Sequence, residues 1–107
     1  MDQLAGKVAV ITGGGSGLGR ELAVQCAAAG MRLVLADVDE TGLAETMALL
    51  PAGAEVVTRR VDVSDAAAVE ALSDLTYKSF GATHLLFNNA GVFVSGPTWT
   101  TTAEDWN

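Results

Sequence analysis

An apolar run, Val8-Ala9-Val10-Ile11, leads straight into Thr12-Gly13-Gly14-Gly15-Ser16-Gly17-Leu18-Gly19. No other feature restricts this chain as much. The run reads as a buried strand, and a helix is expected to begin near Ser16 and Gly17. Glycines between them admit positive φ angles and let a ligand approach the main chain closely. The first amides of the following helix have no acceptor within it and lie at the positive end of its dipole. A strand, a glycine turn and a helix in that order form a cradle for phosphate. A phosphate-bearing cofactor is therefore expected to bind here.

The chain has 107 residues, enough for one domain at most. Half of them are apolar and 18% are charged, which describes a folded globular chain rather than a disordered one. A net charge of −7 argues against nucleic acid, whose binding depends on clustered Lys and Arg, and against an anionic membrane surface. No apolar stretch approaches the roughly 18–20 residues that span a bilayer. Met1-Asp2-Gln3 lacks the positive start of a secretory signal. One cysteine, Cys26, cannot form an internal disulfide, so a reducing, cytoplasmic setting is expected.

Apolar runs of strand length alternate with longer helical patterns. Strands are expected at 7–12, 32–36, 55–61 and 83–87, and helices at 17–29, 39–50 and from 65 to about 79. In the first helix Leu18, Leu22 and Cys26 fall on one stripe, with Gly30 as its terminator. The second places Leu43, Met47 and Leu50 on one face. Ser64 is read as the N-cap of the third, which turns Val69, Leu72 and Leu75 inward. The order βαβαβαβ with near-continuous apolar strands predicts an α/β fold with a parallel sheet covered on both faces. Right-handed crossovers and the glycine turn predict the strand order 3-2-1-4, the first half of a Rossmann-type doubly wound sheet. Residues 1–107 then read as the N-terminal part of a single dinucleotide-binding domain. Thr101 and Glu104 have capping-box spacing, but the chain stops about one turn later, which reads as truncated.

Three further segments fall at the ends of the expected strands. Asp37 comes eighteen positions after Gly19, where a carboxylate accepts hydrogen bonds from an adenosine ribose. It would repel a 2′-phosphate, and Ser16 is uncharged, so the pair favours NAD over NADP. A solvated strand-end carboxylate, or a turn with Asp39, is the plainer reading of Asp37. Asp62-Val63 ends the third strand, where an aspartate can accept from an adenine amino group while the valine packs on the ring; a helix cap is the plainer reading. Asn88-Asn89-Ala90-Gly91 follows the fourth strand, with small residues that allow backbone contact with a ligand. A P-loop is disfavoured because no Gly-Lys-Ser/Thr follows the turn.

Together, Thr12-Gly13-x-x-x-Gly17-Leu18-Gly19, Asp37, Asp62-Val63 and Asn88-Asn89-Ala90-Gly91 resemble the short-chain dehydrogenase/reductase family in order and spacing. The resemblance covers essentially the whole chain. It implies that the glycine turn, including Gly13, Gly15, Ser16, Gly17, Leu18 and Gly19, binds a pyrophosphate, and that Asp37 marks an NAD-type enzyme. It implies that Asp62 and Val63 hold the adenine, that Asn89, Ala90 and Gly91 line the adenosine ribose side, and that Asn88 braces the sheet. Glu104-Asp105-Trp106 resembles the opening of the family's next long helix. The implied reaction moves a hydride between the nicotinamide and an alcohol or ketone carbon of a small-molecule substrate, in an enzyme that is commonly a homo-oligomer.

The family's catalytic Ser, Tyr-x-x-x-Lys and Asn are expected beyond Asn107. Tyr77 and Lys78 are adjacent on a helix and point about 100° apart, so they do not form that pair. Arg32 reads as a surface cation, Cys26 as a buried apolar side chain, and His84 as a lone histidine without metal-ligand companions. Trp99 reads as local packing or a border of the substrate cleft. The residues leave two alternatives open. One is a non-enzymatic NAD-binding module. The other is a site for another adenosine ligand such as S-adenosylmethionine, whose lack of a diphosphate leaves this glycine turn unexplained.

Overall fold

The computed structural model describes residues 4–88. Along them run β1 (Val8–Thr12), α1 (Gly17–Ala28), β2 (Arg32–Asp37), α2 (Glu40–Leu49), β3 (Val56–Arg60), α3 (Ala66–Phe80) and β4 (Leu85–Asn88). The sheet is parallel with the order β3-β2-β1-β4, as the alternation of strand and helix predicts. Boundaries differ from expectation by one or two residues, the usual scatter at fraying ends. No helix among the described residues is long and apolar enough to cross a membrane.

Successive strand residues point to opposite faces, and both faces are filled. Ala9, Ile11, Leu33 and Leu35 pack with Ala23, Cys26 and Ala27 of α1 and Leu43 of α2. Val10, Val34, Ala36 and Leu86 pack with Leu72 of α3 and Val61. Every residue of β1 is buried, which is why the sequence there shows no polar alternation. Each of the fully buried Leu33 and Leu35 side chains contributes roughly 1.5–3 kcal/mol by leaving water.

Three details of the helices depart from expectation. In α1 the inward stripe is Gly19, Ala23, Cys26 and Ala27, while Leu18 is 63% exposed. Small residues win because they let the helix axis lie close to β1 and β2. In α2 the inward residues are Gly42, Leu43 and Thr46, and Met47 is 41% exposed. The N-cap of α3 is Asp65, not Ser64: its carboxylate accepts from the amides of Ala67 and Ala68 at 3.0 and 3.3 Å. The Ser64 hydroxyl is turned the other way, donating to Asp62. Gly30 and Gly81 end α1 and α3 at φ of +82° and +79°, the left-handed geometry that only glycine adopts without strain.

The amino ends of the strands are fastened by side chains. The Val8 amide donates to His84 Nδ1 at 2.9 Å, and the His84 amide donates to the Val8 carbonyl at 2.9 Å. Arg32 lies over the Phe80 ring at 5.1 Å and donates to the Gly6 carbonyl at 3.0 Å. Both residues therefore sit at the edge opposite the glycine turn and are structural. Cys26 is buried and unpaired, and burial pushes its thiol pKa up, consistent with an apolar role.

Asp65→Ala is expected to destabilise the fold by about 1 kcal/mol, the usual cost of losing an N-cap, and Ser64→Ala by clearly less. Denaturant unfolding of the two variants checks the order.

Candidate functional site

Because the strands are parallel, their carboxyl ends share one edge. The register pairs Thr12 with Ala36 on one side and with Asn88 on the other, and Asp37 with Arg60. The glycine turn, Asp37 and the residues after β3 are thus delivered to one place. The Thr12 hydroxyl donates to the Phe87 carbonyl at 3.3 Å, tying β1 to β4 where the turn begins.

The turn leaves β1 through Gly13, whose φ of +67° belongs to the left-handed region. The Gly14 amide then donates to the Ala36 carbonyl at 3.0 Å, so the chain continues the ladder for one residue before bending away. Gly15 is required by space. A Cβ there would lie 2.8 Å from Asp37 Oδ2 and 3.2 Å from the backbone of Gly42 and Leu43. Gly42 answers it, since a Cβ on Gly42 would lie 2.6 Å from the Gly15 carbonyl oxygen. Two glycines on different elements let the turn and the first turn of α2 touch backbone to backbone.

Past this contact the surface opens. Ser16, Gly17 and Leu18 are exposed, and a Cβ on Gly17 would meet nothing within 4 Å. Ser16 stands at the N-cap of α1 with extended backbone, yet its side chain makes no capping bond. No acidic residue lies in the first turn of α1 to compete for its amides. A helix start with no capping side chain and no acidic residue in its first turn, behind a glycine bend, fits a phosphate-bearing group.

Asp37 ends β2 and is half-buried. Its Oδ2 accepts from the Gly15 amide at 2.9 Å and its Oδ1 from the Asp39 amide at 3.1 Å. The first bond holds the glycine turn; the second is the turn with Asp39 that the plainer reading anticipates. One backbone donor on each oxygen leaves each with capacity to accept another. Asp39 in turn caps α2 by accepting from the Gly42 amide at 2.9 Å.

Asp62 follows at the same edge, because the Val61 amide donates to the Asp37 carbonyl at 3.0 Å and prolongs the β2–β3 pairing. Its Oδ1 accepts from the Ser64 hydroxyl at 2.7 Å and the Ser64 amide at 3.0 Å. Those two bonds, with a smaller contribution from the charge of Arg60, hold its carboxyl pKa below the usual value. Val63 is half-buried and packs against the apolar cluster beneath α3. Asn89, Ala90 and Gly91 lie outside the described residues, as do Trp99, Thr101, Glu104 and Asn107. Among the described residues no group of three or more His, Cys, Asp or Glu could hold a metal ion.

Sequence reasoning missed Arg20 and Thr46. The Arg20 guanidinium donates to the Gly15 carbonyl, to the Gly42 carbonyl at 3.2 Å and to Thr46 Oγ1 at 2.9 Å. It also meets Glu45 at 3.2 Å, at an exposed rim where an ion pair contributes little. Thr46 is fully buried and donates to the Gly14 carbonyl at 2.7 Å. The available signal was a hydroxyl on the inward stripe of α2, where a leucine would be expected.

Two outcomes are expected. Gly15→Ala forces its methyl against Asp37 and α2 and destabilises the fold by about 1–3 kcal/mol in denaturant unfolding. Ser64→Ala raises the Asp62 pKa toward an ordinary aspartate value, followed by NMR titration of the carboxyl. The sign follows from linkage. A depressed folded-state pKa adds stability that is present above the ordinary aspartate range and is lost as pH falls through the folded pKa, so the variant is less stable than the parent at neutral pH and the difference vanishes in acid.

The sequence pattern of the short chain dehydrogenase family matches residues 7–107. Levodione reductase of Leifsonia aquatica is 51% identical over 89 residues, covering 80% of this chain and 33% of the reductase. Meso-2,3-butanediol dehydrogenase of Serratia marcescens is 39% identical over 100 residues, covering 94% of this chain and 39% of that enzyme. Among solved structures, a short chain dehydrogenase/reductase from Burkholderia phymatum in complex with NAD superposes with a TM-score of 0.80 at 56% identity. The likeness covers 99% of this chain and 38% of that one. L-Sorbose reductase from Gluconobacter frateurii, complexed with NADPH and L-sorbose, gives a TM-score of 0.78 at 35% identity, covering 99% and 41%. This chain therefore spans between a third and about two fifths of the length of these relatives. With strand order, glycine turn and sequence in agreement, the chain belongs to the short-chain dehydrogenase family.

Proposed function

We propose that this chain is the cofactor-binding part of an NAD-dependent oxidoreductase acting on an alcohol or ketone carbon of a small molecule. Residues 1–107 are then the N-terminal part of one dinucleotide-binding domain. The observation that carries the cofactor choice is the Asp37 carboxylate, held 2.9 Å from the Gly15 amide at the rim of the glycine turn. A negative charge fixed there has an acceptor to offer a ribose diol and repels a phosphate on the same sugar. Ser16 adds no positive charge that could offset the repulsion.

In this reading Gly13 and Gly15 shape the turn and the amides at the start of α1, from Gly17 through Gly19, face the pyrophosphate, with Ser16 and Leu18 at its rim. Asp37 accepts from the ribose hydroxyls. Asp62 accepts from the adenine amino group, with Val63 under the ring. Asn89, Ala90 and Gly91 line the sugar from the fourth strand end. When bound, the nicotinamide supplies the redox chemistry as hydride donor or acceptor; these residues bind and orient it. The serine, tyrosine and lysine that handle the substrate's proton belong beyond Asn107. The family resemblance further supports a homo-oligomer, and the single buried Cys26 supports a cytoplasmic setting.

The reading is tested by fluorescence titration with NADH and NADPH. NADH is expected to bind at least about ten-fold more tightly, and Asp37→Ala to lose roughly 1.5–3 kcal/mol of NADH affinity, the range for hydrogen bonds to a charged group. Tighter binding of NADPH, or binding of neither, defeats it.

A further inference from the structure

The contacts around Gly14 and Gly15 form one directed chain of hydrogen bonds. Arg20 Nε donates to Thr46 Oγ1 at 2.9 Å. Thr46 Oγ1 donates to the Gly14 carbonyl at 2.7 Å. The amide of the same peptide group, Gly15 N–H, donates to Asp37 Oδ2 at 2.9 Å. The direction is forced by chemistry. A guanidinium only donates, so the single proton of the threonine hydroxyl is committed to the carbonyl. The Gly14–Gly15 peptide is thereby held from both sides, a hydroxyl on its oxygen and a carboxylate on its hydrogen.

Such a chain is cooperative. Accepting at the carbonyl polarises the amide and strengthens its donation, by about 10–30% per bond. A cation stands at one end and a carboxylate at the other. Thr46 is fully buried, so no water substitutes for it in place. Gly15 and Gly42 touch backbone to backbone, so the peptide has no room to rotate toward another acceptor.

We propose that Thr46 and Arg20 are positioning residues for the Asp37 carboxylate, acting through the Gly14–Gly15 peptide, and so determine how tightly and selectively the adenosine ribose is held. The proposal rests on the NAD-binding reading above. Neither side chain touches the cofactor in it. Thr46 acts through the direction in which that peptide group points, and Arg20 acts through Thr46 and through its own bond to the Gly15 carbonyl of the next peptide.

The test is a double-mutant cycle in the full-length protein, read as the dissociation constant for NADH and as the NADH-to-NADPH affinity ratio. Thr46→Val keeps the shape and removes the hydroxyl. It is expected to weaken NADH binding about five- to ten-fold and to narrow the ratio, whereas Thr46→Ser restores both. In an Asp37→Ala background the same Thr46→Val change is expected to alter NADH binding by less than about two-fold. A purely structural threonine moves the melting temperature, not this coupling. Unchanged affinity in a folded Thr46→Val protein overturns the proposal, as does an equal loss with and without Asp37. Should Thr46→Val not fold, Arg20→Lys, which replaces the fork by a single ammonium, runs the same cycle with the same two readouts. If the parent binds NADH and needs Asp37 but ignores Thr46 and Arg20, this inference alone fails. If the parent does not bind NADH, or binds it equally without Asp37, the NAD reading fails and takes the inference with it.

Discussion

Parallel strand pairing is the constraint from which the rest of this molecule follows. After each strand the chain must cross back over the sheet, and the crossovers bury both faces. That requirement explains why β1 is apolar throughout and why α1 turns alanines and a glycine toward it. It also sorts the chain into two edges. Everything just past a strand end arrives at one of them, so residues as far apart in sequence as Gly13, Asp37 and Asp62 become neighbours without any loop reaching for another.

At that edge the polar contacts have a division of labour. Asp37 holds the turn and the beginning of α2 through one oxygen each. Asp39 caps α2, and Asp65 caps α3. Asp62 is oriented by the hydroxyl and the amide of Ser64. Each of these aspartates is matched to backbone or hydroxyl donors, and the Arg20 guanidinium donates to the Gly15 carbonyl of the turn. The net effect is an edge whose donors at the helix start are uncommitted to side chains while its carboxylates are already oriented.

The element order and strand order were legible because strand and helix repeats differ and because glycines punctuate them. Asp37 was legible because the end of β2 is marked by the change from Leu-Val-Leu-Ala to acidic residues. The faces of α1 and α2 were read less well. At 100° per residue, two adjoining stripes both satisfy a four-residue spacing, and the sequence does not say which one touches the sheet. Leu18 and Met47 lost to Gly19 and Thr46 because the helices approach the sheet more closely than large side chains allow. The cap of α3 was misassigned by one position because Ser64 and Asp65 are both good caps and Asp62 had engaged the serine. The joint role of Arg20 and Thr46 was missed for a different reason. Their meeting depends on residues of two helices, twenty-six positions apart in the chain, arriving at the same glycine turn.

The fastening at the opposite edge has a consequence of its own. There, His84 and Arg32 grip Val8 and Gly6 where the chain enters the sheet, with the full thickness of the strands between them and the glycine bend. The fastening and the glycine bend are therefore lodged at separate poles. A change at the lower pole can strengthen or loosen the sheet without meeting any of the hydrogen bonds described at the upper one.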